Sequence, residues 1–454
     1  MSQHSTLHFQ SALLHDGWHS NVTISITDGA ISAIENGSPP PDGAERHAIA
    51  LPGMPNLHSH AFQRAMAGMA ETRGPDGDNF WSWRDSMYRL ASSIGPEQLR
   101  VIAAMAQMEM LESGFTRVGE FHYLHHAASG HEYSDIAEMS KAILSASEQT
   151  GIGITHLPVF YAHSGFGGQP AKEGQRRFIC DLERFDRLLD ACKVAAKGLP
   201  DAIVGIAPHS LRAVTPDELA SLQELAADAP VHIHIAEQLR EVEDCRSALG
   251  TTPVRWLLDN AELSARWCLI HATHVTDDEV TGIARTGASV GLCPITEANL
   301  GDGIFPAREF IEAGGEFGIG SDSNVRIDMS EELRLLEYGQ RLSRQSRNIM
   351  ASSDIRSTGR SLYQSAIKGG SMALGIVAAL RVGASADIVS VNMNAVHRSV
   401  VSDDAVLDQL IFAAGSDAID RVWRHGRCVV REGRHVARDR IEGDYRKVLT
   451  ELMA

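Results

Sequence analysis

The chain has 454 residues, 43% hydrophobic and 22% charged, an ordinary globular composition long enough to bury a large core. Asp and Glu number 58 against 41 Lys and Arg, and the formal net charge of −17 argues against non-specific binding to nucleic acid or anionic membranes. A small anion is not excluded, because a few arginines can reverse the potential inside one pocket. The N-terminus carries neither the basic start nor the apolar run of a signal peptide. No segment approaches the ~18 uncharged apolar residues of a membrane span. Six cysteines are scattered without a Cys-x-x-Cys pair, which reads as a reduced, cytoplasmic protein.

In chain order, residues 7–50 read as short strands. An alternating run at 22–26 meets Asp28-Gly29, a hairpin turn, and 30–34 continues it. This is too little sheet to stand alone, so it needs a partner elsewhere. From 51 to 383, short apolar segments alternate with stretches of helical period. The expected strands are 51–57, 116–121, 151–160, 202–208, 231–236, 267–272, 288–293 and 316–320. Expected helices include 96–113, 132–148, 176–197, 215–227 and 331–347. Thr215-Pro-Asp-Glu218 supplies an N-cap, an N1 proline and a first-turn acid. Eight such units predict an α/β fold, a (β/α)₈ TIM-type barrel with enlarged loops. The rival, a doubly wound dinucleotide-binding sheet, would show a Gly-x-Gly-x-x-Gly turn that this chain lacks. Residues 386–392 and 421–430, with a turn at His425-Gly426, return to strand character. The expected division is therefore a barrel over 51–383 and a small β-sandwich domain built from both ends, 1–50 and 384–454.

The chemistry-bearing residues fall at the ends of those strands. His58 and His60 stand two apart in an extended segment, so both imidazoles aim to one side. His232 and His234 repeat the spacing, and Glu237 follows. His271 ends the next strand, and Asp322 lies in a Gly/Ser turn after the last. One strand histidine is more often a hydrogen-bonded core residue than a ligand. Ligand types at four strand ends of one barrel point to a metal, because the active site of that fold lies on this face.

The set Gly53-x-x-Asn-x-His58-x-His60, His234-x-x-Glu237, His271 and Ser321-Asp322 resembles the amidohydrolase superfamily, in its mononuclear deaminase branch. The 381–389 segment fits the same resemblance. The fourth strand, 202–209, has no lysine to bridge two ions, so a single Zn²⁺ per chain is expected. Finer motifs at 53–68, 80–88, 119–123 and 208–212 resemble the family of N-formimino-L-glutamate iminohydrolases of histidine degradation. That resemblance implies a hydrolase acting on the C–N bond of an amidine and releasing N-formyl-L-glutamate and ammonia. It implies His58, His60, His234 and Asp322 as metal ligands, and Glu237, His271 and Asp322 as the catalytic group. Gln63, Arg84, Tyr123, His209 and Arg212 would hold a small dianionic substrate. Arginine suits carboxylates because its planar fork binds them in bidentate fashion. Arg84 could instead stack on Trp81 or Trp83, Tyr123 could anchor a loop, and Gln63 could cap a helix. His122, His125, His126 and His163 are expected in loops, where solvated histidines are common. A related aminohydrolase acting on a purine or pterin ring is the alternative within enzymes, and a non-catalytic scaffold of this fold the alternative outside them. A homodimer follows from the superfamily's habits.

Overall fold

The structure is a computed structural model, and it describes residues 4–73, 79–392 and 403–453. Four strands open the chain: β1 (His4–Leu14), β2 (Gly17–Thr27), β3 (Ala30–Glu35) and β4 (Glu45–Pro52). Nine short strands follow, β5 (Met54–Ser59), β6 (Phe115–His122), β7 (Gly153–Phe160), β8 (Ile203–Val204), β9 (Ala207–Pro208), β10 (Val231–Ile235), β11 (Trp267–His271), β12 (Ser289–Leu292) and β13 (Glu316–Ile319). Four more end the chain's sheet content: β14 (Ile388–Val391), β15 (Ile419–Arg424), β16 (Arg427–Arg431) and β17 (Arg434–His435).

The middle group forms a parallel sheet in the order β10-β11-β12-β13-β5-β6-β7-β8, with β9 also on β7. The circle closes where His232 N donates to Ile206 O (3.1 Å) and His234 N to His209 O (3.0 Å). This is the TIM-like barrel expected from the alternation. The predicted fourth strand is interrupted, because the chain must tuck under its neighbour at Gly205. A Cβ there would stand 2.5 Å from the Pro230 carbonyl oxygen, so only glycine permits the approach. The strands read as apolar runs because both their faces are covered. β6, β7, β10 and β11 are buried at every position.

The two chain ends form the other sheet, in the order β17-β16-β15-β14-β4-β1-β2-β3. It bends over itself where Ile31 N donates to Ala384 O and Ala386 N to Gly29 O, which makes it a sandwich. Phe9, Val22, Ile24, Ile388 and Trp423 fill the space within.

Helix starts differ from the sequence reading where a cap decides them. The segment expected as helix from 176 begins at Leu182, because the Asp181 carboxylate accepts from Arg184 N at 2.8 Å. The helix expected from 132 begins at Glu138. The stretch 384–435 also holds a helix, Asp404–Gln409, and the chain ends in helix Arg438–Met453, which lies against barrel helix Pro96–Glu112. Part of the 386–392 strand prediction adjoins residues 393–402, which lie outside the described residues.

Candidate active site

The catalytic face is assembled by backbone stitching between first and last barrel strands. Asp322 N donates to His58 O (3.0 Å), and His60 N donates to Asp322 O (2.9 Å). Asn56 accepts from Ser321 N (3.0 Å) and donates to Ser321 Oγ (2.7 Å). The Ser321 hydroxyl passes on to Asn324 Oδ1 (2.6 Å), and Asn324 Nδ2 reaches His60 O (3.1 Å). Gly320 lets the two strands close up, since a Cβ would lie 2.8 Å from His58 O. Five non-glycine residues on this face take left-handed backbone: Ala236 (φ 52°), His271 (68°), Ala272 (49°), Asp322 (45°) and Asn324 (55°). Such conformations cost of order 1 kcal/mol each and persist where the surroundings over-determine them.

Among the described residues, His58, His60, His234 and Asp322 bring one ligand atom each within 4.8 Å of all the others. His58 Nε2 and His60 Nε2 both lie 3.4 Å from Asp322 Oδ1, and His58 Nε2 lies 3.1 Å from His234 Nε2. His60 Nδ1 donates to Phe121 O (2.9 Å) and His234 Nδ1 to His209 O (3.1 Å), which turns each Nε2 lone pair toward the centre. Burial pushes the His58 imidazole down to about 3 and lowers those of His60 and His234. Neutral rings are the form that binds a metal. Three imidazoles and a carboxylate converging on one point, two of the rings with the Nε2 lone pair aimed inward, make a donor set that fits a divalent ion. His232, on the same strand as His234, instead donates from Nε2 to Ala373 O at 2.7 Å, further down the barrel.

His271 borders this group, with Nε2 3.7 Å from Asp322 Oδ2 and 3.9 Å from Glu237 Oε1. Burial disfavours charge on its ring, but the carboxylates of Glu237, Glu297 and Asp322 outweigh that and raise it to about 10. Burial pushes the Glu237 carboxyl up to about 7 against the pull of His271. The turn carrying Glu237 is held by Glu241, which accepts from the backbone N–H groups of Ala236 and Glu237.

One pocket opens onto this set, and its lining includes Gln63, Arg84, Tyr123, His209, Arg212 and Glu237. Gln63 Nε2 donates to Tyr123 Oη (2.9 Å), while its Oε1 has no partner among the described residues. Arg84 stacks 4.4 Å over Trp81 and also lines the pocket; its Nε, like that of Arg212, is buried without a partner among the described residues. Arg64 stands elsewhere, paired with Glu109 at 2.6 Å. His122, His125 and His126 correct the expectation of solvated loops: all three are buried. His163 is paired with Glu218 at 2.9 Å. Sequence reasoning passed over Tyr161, Phe178, Met87 and Leu300 in the lining, and Glu297 behind His271. Glu297 carried a usable signal, being an acid in the first turn of the helix that follows a barrel strand.

A closed parallel barrel whose strand ends gather three imidazoles and a carboxylate is the architecture of the amidohydrolases, and the chain belongs to that family, matching it over residues 49–429. Residues 4–48 match the N-terminal domain of formimidoylglutamate deiminase HutF. The chain is 48% identical to the formimidoylglutamate deiminase of Pseudomonas aeruginosa, over 99% of this chain and 100% of that one. It is 27% identical to a 5-methylthioadenosine/S-adenosylhomocysteine deaminase of Natronomonas pharaonis, over 81% of this chain and 78% of the other. Of solved structures, an amidohydrolase from Brucella melitensis superposes with a TM-score of 0.96 at 52% identity, covering 99% of this chain and all of that one.

Proposed function

We infer that this chain is a metal-dependent deiminase that hydrolyses N-formimino-L-glutamate to N-formyl-L-glutamate and ammonia in histidine degradation. The observation that carries this is the end-to-end identity with an enzyme named for that reaction, including the separate match of its N-terminal domain. The pocket agrees with it, since two arginines with unpartnered buried Nε atoms suit a substrate bearing two carboxylates.

In this reading His58, His60, His234 and Asp322 would hold one Zn²⁺, which when bound would lower the pKa of water at the site toward ~7. The remaining work falls to side chains. Glu237, raised by burial, takes the proton of the attacking water and delivers it to the substrate nitrogen. His271 donates from Nε2 toward the attacking oxygen. Oxygen adds to the formimino carbon, the C=N bond becomes a single bond, and protonated nitrogen leaves as ammonia while a formyl C=O forms. Arg84 and Arg212 clamp the carboxylates, and Gln63, Tyr123 and His209 orient the substrate between clamp and reacting carbon.

Residues 1–50 and 384–454 are the accessory domain in this reading, and 51–383 the catalytic barrel. A cytoplasmic setting is supported by six cysteines that are all free. Among the described residues no helix is long and apolar enough to cross a membrane. Assembly as a homodimer is part of the proposal, and light scattering tests it.

The aromatic lining (Phe80, Trp83, Phe178) and the relatives that deaminate 5-methylthioadenosine favour one competitor, a deaminase of purine rings. Ammonia release decides between them. N-formimino-L-glutamate should be the best substrate, N-formimino-L-aspartate poorer, formiminoglycine poorer still and an aminopurine inert. A purine turned over faster than the glutamate compound overturns the reading.

A further inference from the structure

We propose that Glu297 is a positioning residue that fixes His271 for the reaction, a role that rests on the activity inferred above. Strand β12 stops at Leu292, and the chain turns through Cys293 into helix Pro294–Leu300. The helix's first turn carries Glu297 into the interior behind the catalytic face, where it is buried. Its Oε1 accepts from Cys293 N at 2.9 Å, so the carboxylate is held by the turn that presents it. The same oxygen lies 3.2 Å from His271 Nδ1.

His271 thus stands between two sets of acids. Its Nδ1 edge meets Glu297, and its Nε2 edge faces Glu237 and Asp322 across the site. The backbone is committed to this placement, since His271 and Ala272 are both left-handed, at φ 68° and 49°. An Nδ1–H donated to a buried carboxylate fixes the ring plane and stabilises the doubly protonated ring, the form that keeps an Nε2–H to donate into the site. That is the role the reaction requires. Without Glu297 the ring could rotate about its Cβ–Cγ bond or give up the second proton and leave Nε2 without a hydrogen to donate. Helix Pro294–Leu300 also puts Leu300 in the pocket wall, so one short element shapes the cavity and sets the histidine.

The isosteric Glu297→Gln tests this, because its amide oxygen still accepts from Cys293 N–H while the charge is gone. Zn²⁺ content should stay at the wild-type value and KM within about twofold, while kcat falls by ~10- to 100-fold, the range for a partner of a site histidine. A purely structural role would lower stability and metal content and leave kcat per loaded site unchanged. That outcome, or a wild-type kcat, overturns the proposal. Should the variant fail to fold, the ¹⁵N-histidine NMR spectrum of the wild-type holoenzyme decides. An N–H on both ring nitrogens of His271, with Nδ1–H hydrogen-bonded, is expected, and a ring without an Nδ1–H overturns it. Cys293, His271 and Glu297 also bring donor atoms within 4.8 Å of one another. Titration of the holoenzyme with Co²⁺ should therefore give no thiolate charge-transfer band. Its appearance, abolished by Cys293→Ser, would make Glu297 a ligand and overturn the positioning role. A wild-type enzyme inert toward N-formimino-L-glutamate would refute the activity alone, since the NMR result stands independently of it.

Discussion

Two groups of buried histidines sit a few residues apart in this barrel. His58, His60 and His234 bring ring centroids within 4.6 to 5.3 Å of each other, and the pairs His122–His125 and His122–His156 lie at 5.5 and 5.6 Å. Burial holds both groups neutral. The difference lies in what stands behind the rings. In the first group two Nδ1–H groups are tied to carbonyls, and Asp322 supplies a negative charge in front. In the second, His125 Nε2 donates to Val159 O, and among the described residues both nitrogens of His156 have no partner and no carboxylate completes a cluster. Strand parity separates them: Phe121 packs on the first group, while its neighbour His122, on the same strand, points to the other face. Proximity and burial do not make a metal centre; shared direction and a counter-charge do.

The largest effect should come from breaking the first group. His234→Asn should abolish metal binding and with it activity beyond the ~10²-fold typical of outer partners, whereas His122→Asn should keep full metal content. Elemental analysis of both variants checks this. Equal metal loss in the two would erase the distinction. Glu237→Gln should come next, with metal retained and kcat down by at least ~10²-fold in steady-state assays. A normal turnover would reduce Glu237 to support for His234.

That contrast also shows what the sequence could and could not convey. His58, His60, His234, His271 and Asp322 were legible because extended segments alternate faces and barrel strands end on one rim, although spacing did not separate His234 from His232, which turns to Ala373 O instead. The eight strands were legible for the same reason, as apolar runs at regular intervals. His122, His125 and His126 were not, because their burial depends on helices and loops far along the chain. His126 is tied to the Ile179 carbonyl and His125 to that of Val159. Glu297 was missed because its partner lies 26 residues away, and a first-turn acid ordinarily serves its own helix. The late starts of the helices at Glu138 and Leu182 belong to loops whose length no periodicity encodes.

A smaller effect concerns the pocket beside the first group. Arg212→Met or Arg84→Met should lower kcat/KM on the dianionic substrate by roughly 30- to 1,000-fold, or on the order of 2–4 kcal/mol, while the metal stays. The loss should shrink on formiminoglycine for whichever arginine reads the side-chain carboxylate. An equal loss on both substrates would make that arginine structural and would remove the physical basis of the glutamate preference.

The smallest effect tests the second group, and it appears in stability rather than turnover. Burial pushes His156 down to about 3, against an ordinary value of 6.5. Between those values the unfolded chain binds a proton that the native protein refuses. The stability tied to a neutral His156 is therefore complete above pH 6.5 and drains away as pH falls toward 3, by ~1.4 kcal/mol per pH unit. His156→Leu removes this proton and also two unpartnered buried nitrogens. At pH 7 the variant should be as stable as the wild type or slightly more so, because an unsatisfied buried polar atom is costly. At pH 5 it should be ahead by about 2 kcal/mol, the slope acting over the interval below 6.5. Both proteins keep the first group intact, so acid loss of the metal weighs on them equally and cancels in the difference. Thermal midpoints of the metal-loaded proteins at pH 7 and pH 5 supply the measurement. If the two midpoints fall in parallel, His156 is protonated or bonded in the native state, and the second group resembles the first more than its geometry implies.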